Sequence, residues 1–136
     1  MRAERLPHRL RDGDLDGGYS VLEAAIVLPI VFFLIMLITQ WAIVWHARSV
    51  TEAAAQEGLR TTENYQATAA QGRADTVSYL SQVAPHSLPN PQVSITRTTQ
   101  TATVTVTAKV ASVIPFGHFT VTETASGPVE TYVYAA

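Results

Sequence analysis

The chain has 136 residues, of which 47% are apolar and only 15% are charged. This length suits one small domain plus an additional segment, and the composition excludes a disordered acidic or basic protein. The net charge is −2, and the eight Arg and one Lys are spread along the chain, which excludes an ordinary nucleic-acid-binding protein. Because the chain contains no Cys, it has no disulfide, no thiolate nucleophile and no cysteine zinc site.

A long stretch near the N-terminus, from Ala24 to Ala47, contains no Asp, Glu, Lys or Arg. A helix of ~22 residues rises ~33 Å, which is enough to cross the ~30 Å hydrocarbon core of a bilayer. Trp41 and Trp45 lie near one end of the stretch, as is typical of an aromatic belt at a membrane interface. We therefore expect a transmembrane helix. A cleaved secretory signal is the main alternative, but its apolar region is typically only ~7–15 residues long.

The charged residues on the two sides of this stretch predict its orientation. Four Arg precede it and two follow shortly after it, namely Arg2, Arg5, Arg9, Arg11, Arg48 and Arg60. Positively charged flanks stay in the cytoplasm, so we expect a cytoplasmic leader at residues 1–18, a transmembrane helix at 19–46 and an extracytoplasmic domain at 47–136. The leader ends in Gly-Gly and has no apolar period, which predicts a short flexible segment.

Two helices are predicted. The first runs from about Ser20 to about Arg60, because Ala, Gln and Glu, which favour helices, dominate the part beyond the membrane. Within it, Val50, Ala54 and Gly58 recur at four-residue spacing and form a stripe of small residues suited to close packing.

The second helix is predicted from Tyr65 to Ala84, after a break at residues 61–64 and before Pro85. A linker at residues 87–91 follows it. Its apolar residues recur three or four positions apart and predict one buried face, which consists of Ala70, Ala74, Val77, Leu80 and Ala84.

From Gln92 onward the apolar period changes to two, which indicates strands. Residues 101–110 place Ala and Val on one face and mainly Thr on the other, a pattern typical of a half-buried antiparallel strand. The turn at residues 115–117 separates this strand from another at 119–125, which Val129 to Tyr134 would extend as an edge strand. The predicted fold class is α+β: a long N-terminal transmembrane helix continuing into a small domain with a second helix and about three antiparallel strands.

No pattern in the sequence predicts catalysis, a cofactor or a metal site. The four His lie in different segments, and no two of them share a helix at the spacing that a zinc site needs. The sequence also lacks a G-x-S-x-G nucleophile motif and a glycine-rich phosphate loop. We therefore expect a protein without enzymatic activity.

The segment Gly18-Tyr19-Ser20-Val21-Leu22-Glu23 lies directly before the apolar stretch, and its residues leave two interpretations of Glu23 open. In the first, Ser20 caps the helix and Glu23 bonds back to it in a capping box. In the second, the chain is cut before Tyr19, and Glu23 of one subunit pairs with the new amino terminus of a neighbour. Such a pair is strongly coupled in a low dielectric and would set the axial register of a fibre.

The same segment resembles the processing site of prepilins, in which a glycine precedes the cut and an acid is the fifth residue after it. The wider pattern resembles the TadE-like family of tight-adherence pilus proteins. It comprises Leu28-Pro29, Ala54-Ala55-Gln56-Glu57-Gly58-Leu59-Arg60 and two Thr/Val strands around Pro115-Phe116-Gly117. The resemblance implies a pilin-like fold and cleavage between Gly18 and Tyr19. Ala24 stands where prepilins of this class often have an aromatic residue, a departure that bears on cleavage more than on the family.

For function, the resemblance implies a pseudopilin, either a minor pilin or an assembly factor, of a tight-adherence pilus or related secretion system. The implied partners are membrane lipid, other pilins or pseudopilins, a prepilin peptidase, membrane platform proteins and, indirectly, a cytoplasmic ATPase. From the residues themselves, we expect Glu57, Gly58 and Arg60 to dock the long helix onto the domain. One alternative is an uncleaved single-pass anchor that presents a small extracytoplasmic binding module, and a membrane-tethered enzyme is a third, weaker one.

Overall fold

The computed structural model describes residues 13–131. Along these residues the elements are α1 (Gly13–Glu63), α2 (Ala69–Val83), β1 (Gln92–Arg97), β2 (Thr101–Val110) and β3 (Phe119–Pro128). This arrangement confirms the predicted α+β class, with a long apolar N-terminal helix, a second helix and three antiparallel strands. The chain divides into two compact units, one ending at Met36 and the other beginning at Leu37.

Helix α1 has 51 residues and is longer than predicted at both ends. Residues 13–18, which we predicted to be flexible, are helical, whereas the rest of the predicted leader lies outside the described residues. The Gly17-Gly18 pair does not stop the helix, because a glycine costs only about 1 kcal/mol relative to alanine in a helix interior. At the other end, the helix passes through three of the four residues of the predicted break and ends at Glu63.

Helix α2 begins at Ala69 rather than at the predicted Tyr65. Thr68 caps it: the Thr68 side chain accepts a hydrogen bond from the Gln71 backbone N–H at 3.2 Å, and Gln71 Oε1 accepts one from the Thr68 N–H at 2.9 Å. This reciprocal pair is a capping box, which satisfies two N–H groups at the start of the helix. Just before it, Gln66 has a φ of 63°, a left-handed conformation that no helical residue adopts.

The buried face predicted for the second helix is confirmed at Leu80 and Ala84, which are both buried, and is wrong at its other three members. The residues of α2 that are buried are Gly72, Thr76 and Leu80, and of these only Leu80 belonged to the prediction. Three predicted members of the face are exposed, namely Ala70, Ala74 and Val77. The inward face of α2 therefore combines the apolar Leu80 with two small residues, Gly72 and Thr76, that have no apolar signature.

The three strands form one antiparallel sheet in the order β1-β2-β3. The alternation predicted for β2 is confirmed, because all of its Ala and Val side chains are buried: Ala102, Val104, Val106, Ala108 and Val110. The opposite face carries threonines in register, and hydroxyl pairs bridge the strands at 3.1 Å, Thr105 to Thr124 and Thr107 to Thr122. One face of the sheet is thus apolar and the other is polar.

The edge strand predicted from Val129 to Tyr134 is absent from the described residues. Strand β3 ends at Pro128, and the chain then turns so that the Glu130 backbone N–H donates to the Glu63 carbonyl at 2.9 Å. The Val129 backbone N–H donates to the Gln100 carbonyl at 2.9 Å, directly before β2, so the segment joins this end of the sheet to the end of α1. Residues 132–134 lie outside the described part of the chain.

The core lies between the apolar face of the sheet and the part of α1 that follows Leu37. Small and medium side chains supply the contribution of α1, namely Ala47, Val50, Ala54, Ala55 and Leu59. The predicted linker also contributes, because Leu88 is buried in the same cluster. Hence the segment between α2 and β1 is a part of the core, although it has no regular secondary structure.

Candidate functional site on helix α1

Helix α1 carries an exposed apolar surface. Among the described residues, one helix is long and apolar enough to cross a membrane, within Ser20–Glu63, and none of its most apolar part is buried inside the molecule. Its exposed large side chains include Phe32, Phe33, Leu34 and Ile38. A helix of a soluble core would bury such side chains, so their exposure indicates a membrane anchor.

The predicted processing junction lies inside α1. The backbone of Gly18 and Tyr19 is helical, and a Cβ added to Gly18 would meet no atom within 4 Å. Because α1 begins at Gly13, Ser20 is an interior residue and cannot be an N-cap. The capping-box interpretation of Glu23 is therefore wrong for the uncut chain, in which the Glu23 side chain is exposed. Its role in fibre register stays a prediction.

The three residues predicted to dock α1 onto the domain differ in their surroundings. Gly58 is buried, whereas Glu57 and Arg60 face solvent with 46% and 80% of their side chains exposed. The distance from Arg60 Nη1 to Glu57 Oε2 is 3.9 Å, which is a surface pair of little energetic weight.

Gly58 belongs to a contact in which α1 and α2 approach each other through matched pairs of residues. A Cβ added to Gly58 would overlap Thr76 Oγ1, and one added to Gly72 would overlap Thr62 Oγ1. Each threonine also bonds within its own helix: Thr62 Oγ1 donates to the Gly58 carbonyl at 2.7 Å, and Thr76 Oγ1 to the Gly72 carbonyl at 2.8 Å. These bonds satisfy both buried hydroxyls and allow the two backbones to approach closely.

We call these four residues the Gly-Thr contact: Gly58, Thr62, Gly72 and Thr76. Sequence reasoning found only Gly58. A signal was present, because each helix carries a glycine followed four residues later by a threonine, the spacing that places two small residues on one helix face. The threonines were overlooked because a hydropathy pattern treats them as surface residues.

A second contact missed by sequence reasoning is centred on Gln40, which interrupts the apolar stretch. Its side chain is only 3% exposed. Gln40 Oε1 accepts from the Val113 backbone N–H at 2.8 Å and from Ser112 Oγ at 3.3 Å, and Gln40 Nε2 donates to the Ala111 carbonyl at 3.3 Å. These bonds offset the cost of burying an amide and attach α1 to the loop after β2.

An ion pair joins α1 to β3. Arg48 Nε lies 2.6 Å from Glu123 Oε1, and Glu123 sits on the inward face of its strand between Val121 and Ala125. The hydrogen bond to Glu123, reinforced by its negative charge, raises the pKa of the Arg48 guanidinium above its ordinary value. Within residues 13–131, no three His, Asp or Glu side chains converge in a way that could hold a metal ion.

Comparison with known proteins identifies one segment. No curated protein matches the chain, and no solved structure matches it. The model of the family described as TadE-like protein matches residues 18–60. That range begins at Gly18, includes Glu23 and the exposed apolar surface, and ends at Arg60. The resemblance to the TadE-like family is therefore confirmed for residues 18–60, a match that supports involvement in tight-adherence pilus systems.

Proposed function

We propose that this chain is a membrane-anchored, non-catalytic pseudopilin, either a minor pilin or an assembly factor, of a tight-adherence pilus or related secretion system. One observation carries the proposal: the TadE-like match extends over α1 from Gly18 to Arg60, so that a single segment contains the junction, the exposed apolar surface and a buried docking glycine. In this proposal the N-terminus is cytoplasmic and the sheet domain is extracytoplasmic, as the Arg distribution favours.

Cleavage after Gly18 would leave a positively charged amino terminus on Tyr19. Glu23 follows it four residues later and is the only charged side chain between Gly18 and Arg48. In a bundle of apolar helices, the Glu23 carboxylate of one subunit would face the amine of its neighbour. The low dielectric strengthens this attraction and penalises any register that leaves either charge unpaired.

Cleavage requires the helix to open at the junction, because a helical peptide bond is held in backbone hydrogen bonds. The Gly17-Gly18 pair favours local opening, since each glycine is about 1 kcal/mol less favourable in a helix than alanine. The pair also lies near the start of α1, where helices open most readily. The helical junction of the uncut chain is therefore compatible with processing.

Assembly into a fibre requires α1 to exchange lipid for protein neighbours. Its exposed apolar side chains meet hydrocarbon in either environment, so the exchange brings little of this surface into water. The partners in this proposal are other pilins or pseudopilins, a prepilin peptidase, membrane platform proteins and, indirectly, an assembly ATPase. Helix α2 would remain attached to α1 through the Gly-Thr contact, and the sheet through the Arg48–Glu123 ion pair.

Mass spectrometry of the full chain tests cleavage. The chain is expressed with an active prepilin peptidase and, as a control, with a catalytically inactive one. We expect loss of residues 1–18 only with the active enzyme. An intact chain in both preparations would contradict the processing step and favour the uncleaved anchor.

A substitution of Glu23 tests the role in register. We expect Glu23→Ala to abolish incorporation into fibres while membrane insertion is unchanged, because the substitution removes a charge without adding one to the apolar stretch. Glu52→Ala is a matched control, since Glu52 is an exposed acid on the same helix. Normal incorporation of the Glu23→Ala chain would show that the charge pair does not set the register.

The second candidate function is an uncleaved single-pass anchor that presents a small binding module outside the cytoplasm. It is favoured by the helical backbone at Gly18 and Tyr19 and by Ala24 in place of the aromatic residue that many prepilins carry. An anchor of this kind would keep residues 1–18 in mature membranes and would tolerate Glu23→Ala.

A further inference from the structure

The loop between β2 and β3, residues 111–118, has a fixed conformation. The Gly117 backbone N–H donates to the Ile114 carbonyl at 3.2 Å, and the Ser112 hydroxyl, whose single hydrogen is shared between this carbonyl and Gln40 Oε1, lies 2.8 Å from the same carbonyl oxygen. A Cβ added to Gly117 would overlap the edge of the Phe119 ring, so a larger residue in this turn would require that ring to move. These contacts hold the loop in one conformation, which lowers the ordering cost when its outward side chains bind.

This loop, which we call the 111–118 loop, is attached to α1 at Gln40. Gln40 forms all three of its side-chain hydrogen bonds with the start of the loop. Gln40 lies inside the charge-free stretch that ends at Ala47. The loop is consequently held beside a part of α1 that is itself apolar.

Large apolar side chains are exposed in this loop and on α1 close to Gln40 in the sequence. Phe116, in the loop, is 91% exposed, and Val113 is also exposed. On α1, Trp41 and Trp45 are exposed, and their ring centroids lie 5.9 Å apart. Exposed large apolar residues thus occur both in the loop that Gln40 binds and within five residues of Gln40 along α1, which is unusual for a surface in water, and tryptophan is enriched where membrane meets water.

The charges next to the loop suit a lipid headgroup region. No Asp or Glu occurs between Lys109 and Glu123 in the sequence, and Glu123 is bonded to Arg48. Lys109, two residues before the loop, is exposed. Cationic side chains that border an apolar surface can reach phosphate groups while their stems stay in the apolar layer.

The depth of the loop follows from the length of the apolar stretch. If α1 crosses a bilayer, ~20 residues fill the hydrocarbon core, and the stretch from Ala24 reaches the far interface at about Ile43. Gln40 and the loop attached to it then lie at the boundary between acyl chains and headgroups. At that boundary, leaving the Phe116 ring in water would be less favourable than inserting it among the acyl chains, because transfer of an aromatic side chain from water to hydrocarbon is favourable.

We propose that the 111–118 loop is a second membrane contact, in which Phe116 and Val113 insert into the interface of the extracytoplasmic leaflet beside Trp41 and Trp45. The partner is the lipid surface itself. This inference rests on the proposed membrane-spanning role of α1. Two attachments, one helix through the bilayer and one loop on it, would fix the rotation and tilt of the sheet domain relative to the membrane.

Fluorescence quenching by lipids tests the proposal on the full chain. Because the chain contains no Cys, Phe116→Cys can be labelled at one position with an environment-sensitive dye. The labelled protein is reconstituted into vesicles of phosphatidylcholine and phosphatidylglycerol that carry a doxyl quencher near the headgroup or near the end of the acyl chain. Thr99→Cys is the control, since Thr99 is exposed in the turn before β2, at the opposite end of this ten-residue strand.

We expect the dye at position 116 to be quenched by the shallow quencher about twofold more than by the deep one, as an interfacial depth requires. The dye at position 99 should be insensitive to both quenchers. An unquenched dye at position 116 that aqueous iodide quenches would overturn the proposal. A dye at position 116 that is shielded from lipid and iodide alike would also overturn it, because another copy of the chain would then cover the loop.

The tryptophans separate failure of this inference from failure of the proposed anchor. Trp41 and Trp45 are the only Trp in the chain, so their fluorescence reports the depth of α1. Quenching of tryptophan without quenching at position 116 would leave the anchor standing and remove the loop contact. If neither is quenched, both the anchor and the loop contact are refuted.

Discussion

The two parts of helix α1, before and after Met36, differ in the side chains that they bury, although they belong to one element. The first part exposes large apolar side chains such as Phe32 and Leu34. The second part buries small ones such as Ala47, Ala54 and Gly58. In lipid, large apolar groups are favourable when they are exposed, whereas in water the helix gains stability by packing closely against its own domain.

The two parts also differ in how they accommodate polar groups. Between Ala24 and Met36 no polar side chain occurs. In the second part, buried polar side chains form hydrogen bonds: Thr51 Oγ1 donates to the Ala47 carbonyl at 2.7 Å, and Gln40 bonds to the 111–118 loop. The contrast shows that a buried polar group is tolerated in this helix wherever a partner lies within reach.

A charge in the first part should have the largest effect. We expect Leu34→Arg to lower the equilibrium constant for membrane insertion about 100-fold, because an Arg at the helix centre costs ~2.5–3.5 kcal/mol. The inserted fraction can be measured in microsomes with a glycosylation reporter. The matched control is Ser49→Arg, at an exposed position in the second part of the helix, which should insert normally. Equal insertion of both variants would refute the assignment of the first part to lipid.

The next largest effect should come from enlarging a small residue in the second part. We expect Gly58→Ala to destabilise the domain by about 1–3 kcal/mol, because the added Cβ overlaps Thr76 Oγ1 in a packed interface. Chemical unfolding in detergent micelles measures this change. Gly18→Ala, which adds a Cβ in open space on the same helix, should not destabilise the domain and should favour the helix by up to about 1 kcal/mol.

A double variant tests whether the steric overlap is the cause. Thr76→Ala removes the hydroxyl that the new Cβ would meet, so Gly58→Ala combined with Thr76→Ala should be less destabilised than the sum of the two single variants. Strict additivity would contradict the Gly-Thr contact as the site of close approach.

A smaller effect is expected where the two parts meet. Gln40→Ala leaves the Val113 N–H without its partner, and the expected destabilisation is about 1 kcal/mol, because water can reach this partly buried group. Hydrogen exchange at the Val113 amide should become faster. The control is Gln56→Ala, which removes an exposed glutamine from the same helix and should leave this exchange rate unchanged. If Val113 exchanges at the same rate in the Gln40→Ala chain, the bond does not hold the loop.

The smallest effect should come from the ion pair on the surface. Arg48 is exposed, so Arg48→Met should shift the unfolding midpoint less than Gln40→Ala does, and the shift should vanish at about 1 M salt. Because folding raises the pKa of Arg48, its charged form stabilises the fold at every pH below the pKa of arginine in the unfolded chain, and this stabilisation is lost only at more alkaline pH. The difference in unfolding midpoint between Arg48→Met and the unsubstituted chain should therefore stay constant between about pH 7 and 10. Arg60→Met is the control. If it shifts the unfolding midpoint more than Arg48→Met does, the Arg48–Glu123 pair is not the stronger of the two ion pairs.

The elements that were predicted correctly are those whose apolar residues recur at a regular spacing along the sequence. The apolar stretch of α1 and the alternation of Ala and Val in β2 follow directly from periodicity. The buried face of α2 was predicted only in part, because Gly72 and Thr76 have no apolar signature. The start of α1 was mispredicted because two glycines were given more weight as helix breakers than their energies justify.

The sequence by itself determines that this chain has an apolar helix long enough for a bilayer and a sheet with one apolar face, because both properties depend only on the order of residues along the backbone. Only the tertiary structure decides which small residues bring α1 and α2 together, and where Gln40 finds its partners. Glycine, threonine and glutamine carry no fixed preference for the interior, and they become favourable there only when a particular neighbour removes a steric overlap or completes a hydrogen bond.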